Sequence, residues 1–176
     1  MNNAKMPFVK LRAMEPEDLD ELYLMENDTE VWNVGVTNVP YSRFTLHEYI
    51  ASASGDIYAD RQVRLMVVDY EENVVGMVDL VNFDPRHCRA EVGIVIKKGA
   101  RRQGYAHALL QRLHAYALDT LHLHQLYAVV DMANGQALSL FSDMGYAKTA
   151  TLNDWLYDGT SYSEATIMQL LLKKNT

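Results

Sequence analysis

The chain has one cysteine, Cys88, among its 176 residues and therefore cannot form a disulfide within itself. Small secreted domains commonly depend on disulfides, whereas reducing compartments keep thiols free, so this content favours a cytoplasmic protein. The amino terminus, MNNAKMPFVK, lacks the apolar core of a signal peptide. The sequence also lacks an unbroken apolar stretch of about 20 residues, and we expect no membrane-spanning helix and no membrane partner.

Basic residues are outnumbered by acidic ones, 16 against 23, which gives a formal net charge of −7. Nucleic-acid binding usually requires a broad basic surface, so we expect no nucleic-acid partner. An acidic chain suits a cationic partner instead. The six histidines show no spacing typical of a metal site, and we expect no metal.

What the sequence does contain is a series of strand-like and helix-like patterns. Its 49% apolar and 22% charged residues are typical of a globular protein, and its length predicts a single domain over 1–176. Period-two and period-3.6 patterns predict the elements in the order β-α-α-β-β-β-α-β-α-β-β, a mixed sheet with helices on its faces. The predicted strands are 8–14, 63–70, 74–83, 88–96, 125–132 and two that flank the turn 157–162. One helix is predicted to start at Pro16, and three others are predicted over 42–54, 106–117 and 137–144. Residues 27–41 are predicted to form a loop.

A glycine-flanked turn, GARRQGYA (99–106), separates the apolar EVGIVI from the helical ALLQRLHAYAL. Gly99 and Gly104 match the glycines of the nucleotide-binding P-loop, but Tyr105 replaces its lysine and Ala106 its metal-binding hydroxyl. Those replacements argue against hydrolysis of a nucleoside triphosphate. The turn is still compatible with a pyrophosphate, such as that of a coenzyme, held by backbone amides without a metal.

Positive charge is concentrated around this turn by Lys97, Lys98, Arg101 and Arg102. Free N–H groups at the start of a helix bind anions, and these cations would reinforce that attraction. A plain strand-to-helix turn with solvated basic residues would show the same spacing. We refer to residues 97–104 as the glycine turn.

The segment Arg101-Arg102-Gln103-Gly104-Tyr105-Ala106 resembles the R/Q-x-x-G-x-G/A signature of the GNAT N-acetyltransferases. The segment from Asn134 to Tyr146 is similar to the family's N-x-x-A-x-x-x-Y-x-x-x-G-F. VKLRAMEPEDLDELYLMEND, RAEVGIVI and DGTSYSEATIMQLLL resemble the branch with spermidine and ribosomal-protein amino-terminal acetyltransferases. The resemblance covers nearly the whole chain. It implies the GNAT fold, an α/β (α+β) architecture with a mixed, mostly antiparallel sheet of about seven strands and helices on both faces.

The resemblance also implies acetyl-coenzyme A as the cosubstrate and a set of residues that bind it. Residues 101–106 would bind the pyrophosphate. The strand 94–96 would pair with the pantetheine arm, polarise the thioester through a backbone N–H, and splay from the next strand to open a slot. The implied coenzyme-binding residues are Ile94, Val95, Ile96, Arg101, Arg102, Gln103, Gly104, Tyr105, Ala106, Asn134 and Phe141.

Transfer to an amine requires removal of a proton, because an alkylamine is almost entirely protonated at pH 7. The resemblance assigns this catalytic role to Glu91 on the fourth strand. Strand alternation places Glu91 on the face shared by Arg89 and Gly93, opposite Ala90. An ion pair with a neighbour such as Arg89, or a solvated charge at the edge, would equally explain a glutamate here.

Phe141 stands where the family usually has a tyrosine that is proposed to protonate the leaving thiolate. Its ring also completes the apolar stripe of the helix 137–144, so we expect a packing role, and the general acid stays unassigned. The missing hydroxyl raises a second hypothesis, in which the chain is a coenzyme A-binding sensor or regulatory module with little turnover.

The acceptor is not fixed by the sequence. Spermidine acetyltransferases carry acidic residues in the loop that matches 33–42, and this loop has none. We therefore expect a small-molecule or peptide amine as partner: a polyamine, another small primary amine, or a protein amino terminus. Assembly into a homo-oligomer is left open.

Overall fold

The computed structural model describes residues 6–32 and 39–173, in which seven strands form one sheet in the order β1-β2-β3-β4-β5-β7-β6. Within this sheet β4 and β5 are parallel, whereas the other neighbouring pairs are antiparallel. The mixed, mostly antiparallel sheet is as predicted. The strands are β1 (Lys10–Ala13), β2 (Val63–Val68), β3 (Val74–Asp84), β4 (Arg89–Ile96), β5 (Gln125–Asp131), β6 (Ala147–Tyr157) and β7 (Tyr162–Leu171).

Six α-helices connect the strands of the described part. They are α1 (Leu19–Glu26), α2 (Thr29–Trp32), α3 (Arg43–Ser52), α4 (Ile57–Asp60), α5 (Tyr105–Ala115) and α6 (Gly135–Asp143). The helix predicted from Pro16 starts as a 3₁₀ turn, Pro16–Asp18, and the helix predicted to Ala117 passes into a π-helical turn, Tyr116–Thr120. The prediction of a loop over 27–41 was wrong at α2, and α4 was not predicted. Each of these helices has four residues, which is too short to show a helical period. Residues 33–38 of that segment lie outside the described residues.

Helices cover both faces of the sheet, as predicted. On one face, α5 and α6 bury Leu109, Leu113 and Phe141 against Ala90 and Val92 of β4. A smaller core lies on the opposite face, where α1 and α3 pack on β2 and β3. It comprises Leu22, Met25, Leu46, Met66 and Met77, with Val95 packed against it. Val95 thus lies on the α1–α3 face, and strand alternation places Glu91 there too.

The parallel strands β4 and β5 separate partway along their length. They pair at Arg89↔Gln125, Ala90↔Leu126 and Glu91↔Tyr127. Beyond that, β4 pairs with β3 as far as Ile96, and β5 follows β7 as far as Asp131. The β4 edge from Val92 to Ile96 therefore faces a gap, which is the splay that the resemblance implied.

The strand β6 forms one edge of the sheet and is exposed along most of its eleven residues. Trp155 and Tyr157 expose more than half of their surface. Its pairing with β7 shifts register twice, and Asp154 adopts a positive φ of 49°. Within the described residues, no helix is long and apolar enough to cross a membrane.

Candidate active site

The glycine turn joins β4 to α5 through two residues in the left-handed region, Arg102 (φ 62°) and Gly104 (φ 84°). A Cβ atom on Gly104 would also lie 3.2 Å from Cδ of Pro7. Gly99 has no such φ, and a Cβ atom there would meet nothing within 4 Å. Gly104 is therefore the glycine on which the turn depends.

The helix α5 begins directly after Gly104, which has no side chain to cap it. The geometry of an α-helix leaves the N–H groups of Tyr105, Ala106 and His107 without an intrahelical acceptor. All three residues line a cleft of about 950 Å³. Donors at a helix amino terminus beside an open cleft suit a diphosphate.

Nine of the predicted coenzyme-binding residues are brought together around this cleft. They are Ile94, Val95, Ile96, Arg101, Arg102, Gly104, Tyr105, Ala106 and Asn134. The free edge of β4 and the start of α5 are thus parts of one continuous cleft. Its volume and donor set fit an extended coenzyme with a diphosphate in its middle. Seven further residues line the cleft that were not predicted to bind the coenzyme, although the charge of Lys98 was noted; they are Glu30, Lys98, Ala100, His107, Gln136, Ala137 and Leu140.

Gln103 and Phe141 do not line the cleft. The Gln103 amide donates to the carbonyl of Gly99 (2.9 Å) and so closes the turn from outside. Phe141 is buried in the larger core, edge-on to the ring of Tyr146 with 4.9 Å between centroids. Asn134 lines the cleft and also caps α6, because its Oδ1 accepts from the backbone N–H of Ala137 at 3.0 Å.

The cations of the glycine turn contact carboxylates at the end of α1 and the start of α2. Arg101 donates to Asp28 and to Glu30, each at 2.7 Å, and its Nε binds the carbonyl of Ile96 at 3.0 Å. Lys98 lies 2.6 Å from Glu30. Arg102 has no carboxylate partner among residues 6–32 and 39–173. Most of the positive charge at the turn is therefore neutralised by the chain itself.

The acidic residues respond electrostatically to this pairing. Desolvation raises the pKa of Asp28, but the backbone N–H of Glu30 and the Arg101 guanidinium outweigh it and hold that pKa below its ordinary value. Lys98 and then Arg101 lower the pKa of Glu30. Both carboxylates are thus anionic at neutral pH and compete with any phosphate for Arg101. No sequence pattern linked Asp28 or Glu30 to residues about 70 positions away.

Glu91 lies at the last rung where β4 and β5 still pair, which is the apex of the gap. It is half-buried, and its Oε2 accepts a hydrogen bond from Nδ2 of Asn82 at 2.8 Å. Arg89, the ion-pair partner considered from the sequence, donates instead to Asp84 at 3.2 Å. Burial and then the negative charge of Glu91 raise the pKa of Tyr127, the residue of β5 that pairs with Glu91.

A second charged cluster lies near Glu91 along the sheet. Arg64 of β2 makes two hydrogen bonds of 2.7 Å to Asp79 of β3 and also contacts Glu26 of α1. Asp79 pairs with Gly93, two residues along β4 from Glu91. This network ties α1 to the sheet beside the gap. Among the described residues, no group of three or more histidine, cysteine or acidic side chains could hold a metal.

Comparison with known proteins identifies the class of protein to which this chain belongs. Residues 9–147 match the family model of the acetyltransferase (GNAT) domain, and the chain belongs to that family. Together with the relatives described next, this makes the protein an N-acetyltransferase and confirms the resemblance found in the sequence.

Two relatives and one solved structure extend the match beyond the family model. A spermidine N(1)-acetyltransferase of Vibrio cholerae is 26% identical over 164 residues, covering 93% of each chain. A putative ribosomal N-acetyltransferase of Bacillus subtilis is 24% identical over 170 residues, covering 94% of this chain and 92% of that one. The crystal structure of the Vibrio cholerae spermidine N-acetyltransferase with CoA and spermine matches with a TM-score of 0.83 at 26% identity. That match covers 93% of this chain and 95% of the other, and it confirms the GNAT fold.

Proposed function

We propose that this acetyltransferase moves an acetyl group from acetyl-coenzyme A to a primary amine by direct attack on the thioester, with Glu91 as the base. The observation that carries the proposal is the position of Glu91 at the point where β4 and β5 separate. A carboxylate there stands where the free edge of β4 begins. A pantetheine arm extended along that edge would end beside Glu91.

The cleft supports binding of the cosubstrate, which supplies the activated acetyl group. The free edge from Val92 to Ile96 offers backbone donors and acceptors to the amides of a pantetheine arm. The amino terminus of α5 and the exposed Arg102 suit the diphosphate. A backbone N–H of residues 94–96 would stabilise the negative charge that develops on the thioester oxygen.

Glu91 would accept the proton that the amine must lose on becoming an amide. The new C–N bond forms as the C–S bond breaks, and the electron pair of that bond leaves on sulfur. A coenzyme thiol is acidic enough to depart as a thiolate, so a general acid is not essential. A positioned base contributes roughly 10²–10⁴-fold to such a reaction.

For the acceptor we propose a small or peptide primary amine, with spermidine and peptide amino termini as the first compounds to test. The activities after which the two relatives are named support these two classes, and the net charge of −7 favours a cation. The absence of acidic residues from 33–42 argues against the polyamine loop of spermidine enzymes. The exposed β6 edge supports a homo-oligomer, which light scattering after size exclusion tests directly.

The test measures thiol release with a panel of polyamines, small amines and peptides, for the wild type, Glu91→Gln and Glu164→Gln. We expect Glu91→Gln to lower kcat more than about tenfold. Glu164 is an exposed carboxylate on β7, and its variant should match the wild type. Unchanged pH–rate behaviour in Glu91→Gln would remove Glu91 from the mechanism. Tight coenzyme binding without thiol release, for every acceptor, would favour the sensor hypothesis, which the missing hydroxyl at Phe141 motivates.

A further inference from the structure

The strand β3 contains one extra residue opposite Glu91. Val81 pairs with Glu91 and Asp84 pairs with Arg89, so β3 advances three residues while β4 advances two. Asn82 lies in this bulge and has a positive φ of 50°. Asparagine tolerates the left-handed region better than most residues, and bulges commonly redirect a side chain.

The bulge changes which face Asn82 occupies. In a regular strand, Leu80 and Asn82 would share a face, and Leu80 belongs to the larger core. Phe83 belongs to that same core and packs edge-on to Tyr58 at 5.2 Å. Because Leu80 and Phe83 both point into the core, the extra residue leaves Asn82 on the opposite face, beside Glu91.

The contact that results is direct. Nδ2 of Asn82 donates to Oε2 of Glu91 at 2.8 Å, and the Asn82 side chain is otherwise exposed. An amide donor stabilises the ionised carboxylate without adding a charge of its own. It also fixes the carboxylate plane at the apex of the β4–β5 gap.

We infer that Asn82 is a positioning residue that orients the Glu91 carboxylate as a base, an inference that rests on the proposed function of Glu91. The side-chain amide of Asn82 donates to Oε2 of Glu91, and the bulge places that amide on the face of the sheet where Glu91 lies. Asn82 itself touches neither the acceptor nor the cosubstrate in this role. Its loss would act through the protonation and orientation of Glu91.

Other titratable groups near Glu91 set the background for a pH measurement. Tyr127 on β5 pairs in register with Glu91, and Arg89 on β4 forms an ion pair with Asp84 of β3. The Arg64–Asp79 pair lies further along the sheet, since Asp79 pairs with Gly93, two residues beyond Glu91 on β4. Neither arginine pair involves Asn82, whereas Asn82 contributes to the electrostatics of Tyr127 as well as contacting Glu91.

The experiment replaces Asn82 with glycine, which accepts a positive φ and so keeps the bulge while removing the donor. We expect kcat to fall about 3- to 20-fold, and the acid limb of the kcat/KM profile to move up by about 0.5–1 pH unit. KM for acetyl-coenzyme A should stay within about twofold, because the coenzyme cleft is untouched. Asn82→Asp, which places a second carboxylate beside Glu91, should move the acid limb further in the same direction.

The matched control is Glu72→Gly, which places glycine at another exposed left-handed position (φ 64°) remote from the cleft. It should keep the wild-type profile. The midpoint of the ¹³C titration of the Glu91 carboxyl provides a readout that does not depend on turnover, and it should move with the acid limb in Asn82→Gly.

A wild-type profile and a wild-type midpoint in both Asn82 variants would overturn the inference while leaving the proposed function intact. If the wild type released no thiol, the proposed function would fail, and the ¹³C midpoint would still decide the role of Asn82. Should Asn82→Gly not fold, Asn82→Asp, which retains a side chain of the same size, still tests the contact, because an unmoved acid limb there would overturn the inference.

Discussion

Gly76 on β3 lies so close to β4 that even a methyl group should disturb the coenzyme cleft. A Cβ atom on Gly76 would lie 2.4 Å from the carbonyl oxygen of Val95, whereas real Cβ atoms essentially never come within 3.0 Å of another heavy atom. The strands would have to part by at least 0.6 Å, the difference between these two distances. The atom in the way is backbone, so no side-chain rotation relieves the contact.

The cost can be estimated from this geometry. Overpacking of this kind destabilises by about 1–3 kcal/mol, and replacing glycine by alanine in a strand recovers about 0.5–1 kcal/mol. We therefore expect Gly76→Ala to lower the free energy of unfolding by about 1–2 kcal/mol, and Tm by about 2–8 °C for a chain of this size. Because residues 94–96 carry the free edge, KM for acetyl-coenzyme A should rise about threefold or more.

Thermal unfolding and steady-state kinetics with varied acetyl-coenzyme A test both parts. Gly93→Ala is the control for stability, since its Cβ atom would lie 3.7 Å from Cβ of Asp79, an ordinary contact in the same strand pair. Wild-type stability and KM in Gly76→Ala would refute the reasoning. A loss of stability with an unchanged KM would show that β4 yields away from the cleft.

Three further predictions concern charge and burial. Glu30→Gln should tighten coenzyme binding about two- to fivefold, measured by calorimetry, because Lys98 and Arg101 lose a competing carboxylate; weaker binding would contradict this competition. Arg101→Ala should weaken coenzyme binding and make it less sensitive to salt, and unchanged affinity would exclude a phosphate contact. Burial lowers the pKa of His114 to about 4. As the pH falls, His114 is therefore protonated in the unfolded chain at a higher pH than in the folded chain. Stability should therefore fall as pH drops from about 6.5 to 4, by about 1–2 kcal/mol allowing for partial solvent contact. Urea titrations should show this loss in the wild type but not in His114→Gln.

The strands and long helices were predictable because their signals are local. Alternation along β4 correctly separated the face of Ala90, which is buried, from that of Glu91, and the apolar stripe of α6 correctly predicted a packing role for Phe141. The glycine turn was predictable for the same reason, since strand, turn and helix are contiguous in sequence. That the turn requires glycine at position 104, and not at position 99, was established only by the backbone angles.

The contacts between distant segments were not predictable. Arg101 was assigned to a phosphate, yet its present partners, Asp28 and Glu30, come from another element whose packing no periodicity reveals. Asn82 escaped notice because a bulge breaks the alternation on which strand faces are read. Gly76 escaped notice too, because a close approach between two strands depends on their register.

The edge strand β6 limits how this protein can join other chains. An edge of eleven residues with mostly exposed side chains would ordinarily invite uncontrolled strand addition. Here the two register shifts and the left-handed Asp154 interrupt the row of backbone donors and acceptors. A visiting strand would therefore find only short regular segments, which disfavours an endless ladder and favours partners whose shape matches the kinks.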